Sequence, residues 1–228
     1  MDPLQLREKE IFETLKAINK CDFVIIGGYA VNAYTFPRFS DDCDIVVNEE
    51  NELAEIEKKL LKLRFIKKET DESLPYSGKF FRYEKEIAKN FKVSIDILFQ
   101  KILDRQTDAI FDASWVFDNS QIKQLKGKTI SETLKLRIIK IDALIAMKIL
   151  CCRLTDIRDV FMLIVNAENP PWIRDQVGQR FSFAERYTKL KDKITSKQFK
   201  DDLQGIFGRI DEKLFEKHKS LILELEKM

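Results

Sequence analysis

The chain has 228 residues, 44% of them hydrophobic and 34% charged, with a formal net charge of +2. That length suits one large domain or a catalytic domain with a helical extension, and the composition supports a sizeable core and excludes wholesale disorder. So small a net charge excludes a global basic field, and any nucleic-acid surface has to be local.

Residues 3–20 carry Leu4, Leu6, Ile11, Leu15 and Ile18 at roughly helical spacing, with Pro3 placed for a first turn. This amphipathic, charged start is unlike a signal peptide. FVIIGG, residues 23–28, predicts a short buried strand ending in two glycines, and YAVNAYTF a short helix after it. DCDIVV, residues 42–47, predicts a second strand. Residues 48–64 predict a charged surface helix with Leu53, Ile56, Leu60, Leu61 and Leu63. FIKKE, KFFRYEK and FKVSIDILF read as strands, with a loop over residues 73–78 marked by Pro75 and Gly78. SWVF and LKLRIIK read as two more. From Ile141 the pattern turns helical, with IDALIAMKILCCRLTDIRDVFMLIV as the longest run before the break at Pro170-Pro171. The remainder predicts two or three amphipathic helices. Strands first and helices second give an α/β chain, an α+β mixed sheet with a helical C-terminal part, divided at residues 1–140 and 141–228. No apolar run reaches the roughly 18 residues that would span a bilayer, so no membrane partner is expected.

Four cysteines, Cys21, Cys43, Cys151 and Cys152, lack C-x-x-C spacing and partner histidines. This argues against zinc and for a reducing, cytoplasmic setting. His218 is the one histidine. It reads as a solvated helix position, and its isolation excludes serine triads and HExxH sites.

The candidate chemistry lies in GGYAVNAYTFPRFSDDCDIVV, residues 27–47. Glycines after a strand let the backbone turn sharply and approach a ligand closely, and a helix start favours phosphate. Side chains alternate along the following strand, so Cys43, Ile45 and Val47 share an apolar face, and Asp42 and Asp44 share the other. Two neighbouring carboxylates suit Mg²⁺ or Mn²⁺, completed by substrate phosphates. Asp41 falls on the wrong face for that role. A second reading is open at this point: a solvated edge of an antiparallel strand also places two acids on one face. FKVSIDILF repeats the pattern, with Asp96 among Ser94 and Leu98 opposite Val93, Ile95, Ile97 and Phe99. A strand beside the first would bring Asp96 to the pair, to bind metal and accept the attacking hydroxyl's proton; a partly exposed strand aspartate is the alternative.

The run Gly27-Gly28, then Arg38-x-Ser40-x-Asp42-x-Asp44 and aliphatic residues, resembles the polymerase-β-like nucleotidyltransferase superfamily. Within it the chain is most similar to the AbiEii-type toxin nucleotidyltransferases of type IV toxin–antitoxin systems, which carry a later K…R…RD helix. Lys148, Arg153 and Arg158-Asp159 match that motif. The likeness runs from Gly27 to about Leu163. It departs in Gly28, where many members have serine, and in Cys43, where they have an aliphatic residue. Asp96 matches a feature that is common in the superfamily but not uniform in the AbiEii branch.

The resemblance implies a nucleotidyltransferase fold and transfer of a nucleoside monophosphate from a nucleoside triphosphate to an acceptor hydroxyl. Asp42, Asp44 and Asp96 would hold Mg²⁺ or Mn²⁺. Gly27, Gly28, Arg38, Ser40, Lys148 and Asp159 would bind the nucleotide. Lys148 and Asp159 stand eleven residues apart, about three helical turns, on one expected face; a solvated pair is the alternative. Relatives imply an RNA 3′ end, often tRNA, or a protein side chain as acceptor, and a cognate antitoxin as partner. Residues 174–200 mix Arg174, Arg180, Arg186, Lys189, Lys191, Lys193, Lys197 and Lys200 with Phe181, Phe183 and Tyr187. That segment is either a local RNA surface or a helix face with buried aromatics. A non-catalytic, nucleotide-binding or regulatory member of the same fold is the rival function, and three intact acids argue against it.

Overall fold

In the computed structural model, residues 2–68 and 79–227 are described; the loop expected over residues 73–78 lies outside them. Two compact units emerge, one of Met1–Ala33, Pro37–Leu103 and Phe111–Ile139, the other of Tyr34–Phe36, Asp104–Ile110 and Lys140–Met228.

The first unit opens with α1 (Pro3–Ile18), started by the Asp2 carboxylate, which accepts a hydrogen bond from the Leu4 N–H, and by proline in the first turn. Its apolar face, Ile11, Phe12, Leu15 and Ile18, is fully buried. Then come β1 (Val24–Ile25), α2 (Gly27–Val31), β2 (Asp42–Val47), α3 (Glu50–Lys62), β3 (Ile66–Lys67), β4 (Lys79–Ala88) and β5 (Phe91–Phe99). β6 (Lys101–Leu103), β7 (Ile110–Asp112), α4 (Ala113–Asp118), β8 (Ser120–Lys126) and β9 (Thr133–Ile139) follow. The main sheet has the order β3-β4-β5-β2-β1-β9-β8, while β6 and β7 pair separately. It is mixed, as expected: β2 runs antiparallel to β1 and parallel to β5, and β1 runs parallel to β9.

β2 is therefore a central strand. Cys43, Ile45, Val46 and Val47 have no exposed surface. The solvated-edge reading falls for Asp44, because β5 pairs along one side of β2 while β1 and the Ile26 N–H cover Asp44, Ile45 and Val46 on the other.

Local departures from expectation have physical causes. SWVF is helix, within α4, instead of strand: Ala113 and Val116, three apart, form its buried side, and so short an apolar run carries no period to tell the two states apart. The helix expected in YAVNAYTF starts earlier, at Gly27, and ends at Val31. There the Asn32 side chain accepts from the Arg38 N–H (3.0 Å) and donates to the Arg38 carbonyl (2.9 Å), closing residues 32–38 into a loop. β8 was missed because it is polar: only Leu125 is buried along this edge strand.

The second unit holds α5 (Ile141–Cys151), α6 (Leu154–Leu163), α7 (Pro170–Gly178), α8 (Phe183–Ile194), α9 (Phe199–Phe207) and α10 (Glu212–Glu224). The long helical run is two helices. Cys152 adopts a left-handed φ of +48°, its N–H donates to the Lys148 carbonyl at 2.8 Å, and α6 restarts with Asp156 accepting from the Arg153 N–H. Beyond Pro170, four helices stand among the described residues instead of two or three, since the turns at residues 179–182, 195–198 and 208–211 each end one.

His218 is also not solvated. It is buried on the inner face of α10 with Phe215 and Ile222. Its Nδ1 lies 2.7 Å from the Phe161 carbonyl, which assigns the proton to Nδ1. Burial pushes its pKa below the ordinary histidine value. In the basic segment, Arg186 and Tyr187 are buried. Phe183 stacks on Tyr187 at 5.7 Å, and the Tyr187 hydroxyl donates to the Leu223 carbonyl. Among the described residues, no helix is long and apolar enough to cross a membrane.

Candidate active site

The candidate centre is built where β1, β2 and β5 present their C-terminal or polar positions within the first unit. Parallel pairing sets Asp44 opposite Asp96 and Asp42 opposite Ser94. Ligand oxygens of Asp42, Asp44 and Asp96 lie within 4.8 Å of one another. Asp42 and Asp44 are half-buried, and Asp96 is 3% exposed. The three expected carboxylates are thus brought together.

The glycine turn is fitted to them. Gly27 has φ +63°, and a Cβ there would overlap the Asp44 carboxylate, standing 2.9 Å from its Cγ. The Ile26 N–H donates to the Asp44 carbonyl at 3.0 Å, which pins the turn to β2. A Cβ on Gly28 would lie 3.0 Å from the Ser40 Cβ and 3.3 Å from the Arg38 Nη2. Arg38 is buried, and its Nη1 donates to the Phe39 carbonyl. The Ser40 hydroxyl donates to Asp42 Oδ1 at 3.4 Å. Gly27, Gly28, Arg38, Ser40, Asp42, Asp44 and Asp96 therefore form one neighbourhood. Asp41 faces away from it, ion-paired with Arg7, whose Nε donates to the Lys92 carbonyl and whose guanidinium lies over Phe91.

Arg82 on β4 was not anticipated. It is the cross-strand partner of Asp96 and forks onto it, Nε to Oδ1 at 2.9 Å and Nη2 to Oδ2 at 2.5 Å. Its Nη2 is also 3.9 Å from Asp42 Oδ2. An arginine at the middle of KFFRYEK was the available signal, but only the β4–β5 register gives it meaning. Burial pushes the Asp96 carboxyl above its ordinary value, against the lowering effect of Arg82. Hydrogen bonding to Asp96 in turn raises Arg82. The short bidentate fork is the geometry of an ionised pair, so Asp96 is taken as carboxylate here. Cys43, between the two aspartates, is held well above a normal thiol by burial first and then by Asp44, Asp42 and Asp96. That rules it out as a nucleophile near neutral pH.

Lys148 and Asp159 belong to the second unit. They sit on α5 and α6, not on one helix, and still meet: Lys148 Nζ is 2.8 Å from Asp159 and 3.0 Å from Asp156. All three side chains are buried. Asp156 was missed as the second carboxylate on this lysine.

A family model described as nucleotidyl transferase AbiEii toxin, type IV TA system, matches residues 12–227. The chain belongs to that family. No curated protein matches the sequence. Among solved structures it is similar to JHP933 from Helicobacter pylori, at 16% identity and TM-score 0.52, covering 100% of this chain and 93% of that one. It is also similar to the antibiotic-resistance factor ANT(2″)-Ia in solution, at 17% identity and TM-score 0.51, covering 84% and 97%. The complex of ANT(2″)-Ia with adenylyl-2″-tobramycin matches at 16% identity and TM-score 0.50, covering 79% and 98%. At such identities these likenesses establish the nucleotidyltransferase fold.

For an AbiEii-family chain, a divalent cation is the implied cofactor, and the residues present fit one. The donor set is all carboxylate oxygen, the preference of Mg²⁺ and Mn²⁺. A cationic group, the Arg82 guanidinium, already lies against two of the three carboxylates. The Gly27 turn leaves no side chain between the Asp44 carboxylate and the backbone.

Proposed function

We propose that this AbiEii-family nucleotidyltransferase moves a nucleoside monophosphate from a nucleoside triphosphate to an acceptor hydroxyl at the Asp42/Asp44/Asp96 centre. The observation that carries the reading is the convergence of these three carboxylates beside the Gly27-Gly28 turn. Asp42, Asp44 and Asp96 would hold Mg²⁺ or Mn²⁺. When bound, such an ion supplies positive charge for the phosphates and lowers the cost of ionising the hydroxyl.

The chain's own groups do the rest. The turn at Gly27 and Gly28 admits the triphosphate close to the backbone, where Ser40 offers a hydroxyl and Arg38 a positive charge. Asp96, the most buried of the three acids, accepts the proton of the attacking hydroxyl. The oxygen–phosphorus bond to the acceptor forms at the α-phosphorus as the bond to pyrophosphate breaks, and pyrophosphate carries away the electron pair. Lys148, buried against Asp156 and Asp159 in the second unit, is given no part in this step. We further propose an antitoxin as partner in the cytoplasm, supported by the family's toxin–antitoxin description, and, on the sequence resemblance alone, RNA, tRNA foremost, as acceptor, a protein side chain being the other outcome.

The test is to incubate the purified protein with each α-labelled nucleoside triphosphate, Mg²⁺ or Mn²⁺ and total RNA, beside Asp42→Ala/Asp44→Ala. Label on RNA or on a protein band only with intact aspartates is the expected result. No label with any nucleotide, with nucleotide binding unchanged in the variant, would overturn it and leave a non-catalytic member of the fold.

A further inference from the structure

The Asp42/Asp44/Asp96 cluster presents a problem of charge that Arg82 partly answers. Three carboxylates with oxygens inside 4.8 Å repel one another, and Asp96 has little water to screen it. Arg82 brings a planar, permanently charged fork to this cluster. It engages both oxygens of Asp96 and reaches to 3.9 Å from Asp42 Oδ2. Arg38 is the other arginine of this neighbourhood, and two guanidinium groups against three acids still leave it net negative.

The fork also stands in the way of a divalent cation. It takes one lone pair from each Asp96 oxygen, and Nη2 lies 2.5 Å from Asp96 Oδ2 and 3.9 Å from Asp42 Oδ2, on two of the three carboxylates that would hold the ion. The Arg82 side chain is 40% exposed while that of Asp96 is 4% exposed, so the arginine is the partner free to move. The Phe80 ring, 5.9 Å from the guanidinium, offers a neighbouring surface for a displaced arginine to rest against.

We propose that Arg82 is a displaceable counter-ion, holding Asp96 and Asp42 in place of the divalent cation and giving way when that cation binds. This rests on the reading that the three acids hold such an ion. Arg82 is thus a positioning residue. It keeps the buried carboxylate aimed before the ion arrives, and it sets how tightly the ion binds by competing with it. A purely structural arginine would support Asp96 in both states, and its loss would weaken metal binding.

The two roles predict opposite signs for one measurement. Mn²⁺ binding to the intact protein is titrated by the loss of the free-ion paramagnetic resonance signal, at low ionic strength and without nucleotide. Wild type, Arg82→Met, Arg82→Lys and Asp42→Ala/Asp44→Ala are compared. Removing a positive charge a few ångströms from the ion, discounted for its partial exposure, gives an expected tightening of about tenfold in Arg82→Met. Arg82→Lys, which keeps the charge but loses the fork, falls between. The melting temperature of Arg82→Met without metal drops below wild type, and Mn²⁺ raises it by more than it raises wild type. If Arg82→Met does not fold, Arg82→Lys carries the test, with tightening of at least about threefold expected.

An unchanged or weaker Mn²⁺ affinity in the folded Arg82 variants, with wild-type binding that depends on Asp42 and Asp44, overturns this inference and leaves the transferase reading intact. Binding in Arg82→Met where wild type shows none supports it. Absence of binding in every protein overturns this inference and leaves the transferase reading to the labelling test.

Discussion

Gly27 and Asp44 constrain each other more tightly than any other pair in the centre. The glycine has φ +63°, and its missing side chain is the space the Asp44 carboxylate fills. Gly27→Ala therefore pays for a left-handed alanine, about 1–2 kcal/mol, and pushes Asp44 out of the cluster. The expected result is a folded protein, by circular dichroism, whose transfer activity falls by at least about a hundredfold. His218 makes a separate case in the second unit. Its pKa is lowered by burial, so the unfolded chain binds its proton first as pH falls. Stability present above the unfolded pKa, about 6.5, is lost below it. The drop in melting temperature from about pH 7.5 to pH 5.5 should be smaller by about 2 °C or more in His218→Gln. The expectation of a solvated His218 overlooked that Phe215, His218 and Ile222 recur at three- and four-residue steps. The interval alone, without its neighbours, reads as a surface position.

Elements explain which residues could be foreseen. The faces of β2 and β5 follow from strict alternation, so Asp42, Asp44 and Asp96 stood out as acids opposite apolar stripes. Their meeting did not follow, because the parallel register that sets Asp44 against Asp96 joins strands separated by a helix and two further strands. Arg82 was invisible for the same reason: its partner is fixed by the β4–β5 register and not by local spacing. The break between α5 and α6 escaped because Cys152, a residue with a Cβ, takes the left-handed conformation usually marked by glycine. Across that break Lys148 ties α5 to α6 through Asp156 and Asp159. Lys148→Met would remove the cation shared by two buried carboxylates, Asp156 keeping Arg153, and is expected to cost about 3 kcal/mol, read by denaturant unfolding. Adding Asp156→Asn and Asp159→Asn should recover part of that loss; no recovery would assign the cost to packing of the lysine stem.

At the scale of the molecule, the near-neutral charge leaves recognition of any nucleic acid to local surface. The aromatic residues of the basic segment are largely committed to packing, Tyr187 to the interior and Phe183 stacked against it. For an RNA backbone, Lys189 and Lys197 are exposed on that segment, with Arg174, Arg180 and Lys191 partly so. The mixed sheet and the helical C-terminal half were both readable from the order of strand and helix patterns, and the fold agrees with them. The central claim, that three carboxylates on two parallel strands make one transfer centre, is tested most directly by a single comparison. Label from each α-labelled nucleoside triphosphate is followed onto total RNA and protein for wild type and for Asp44→Asn, which keeps the side chain's shape and removes its charge. The account predicts incorporation by wild type and a loss of at least about a hundredfold in Asp44→Asn at an unchanged melting temperature. Equal incorporation by the two proteins would contradict it.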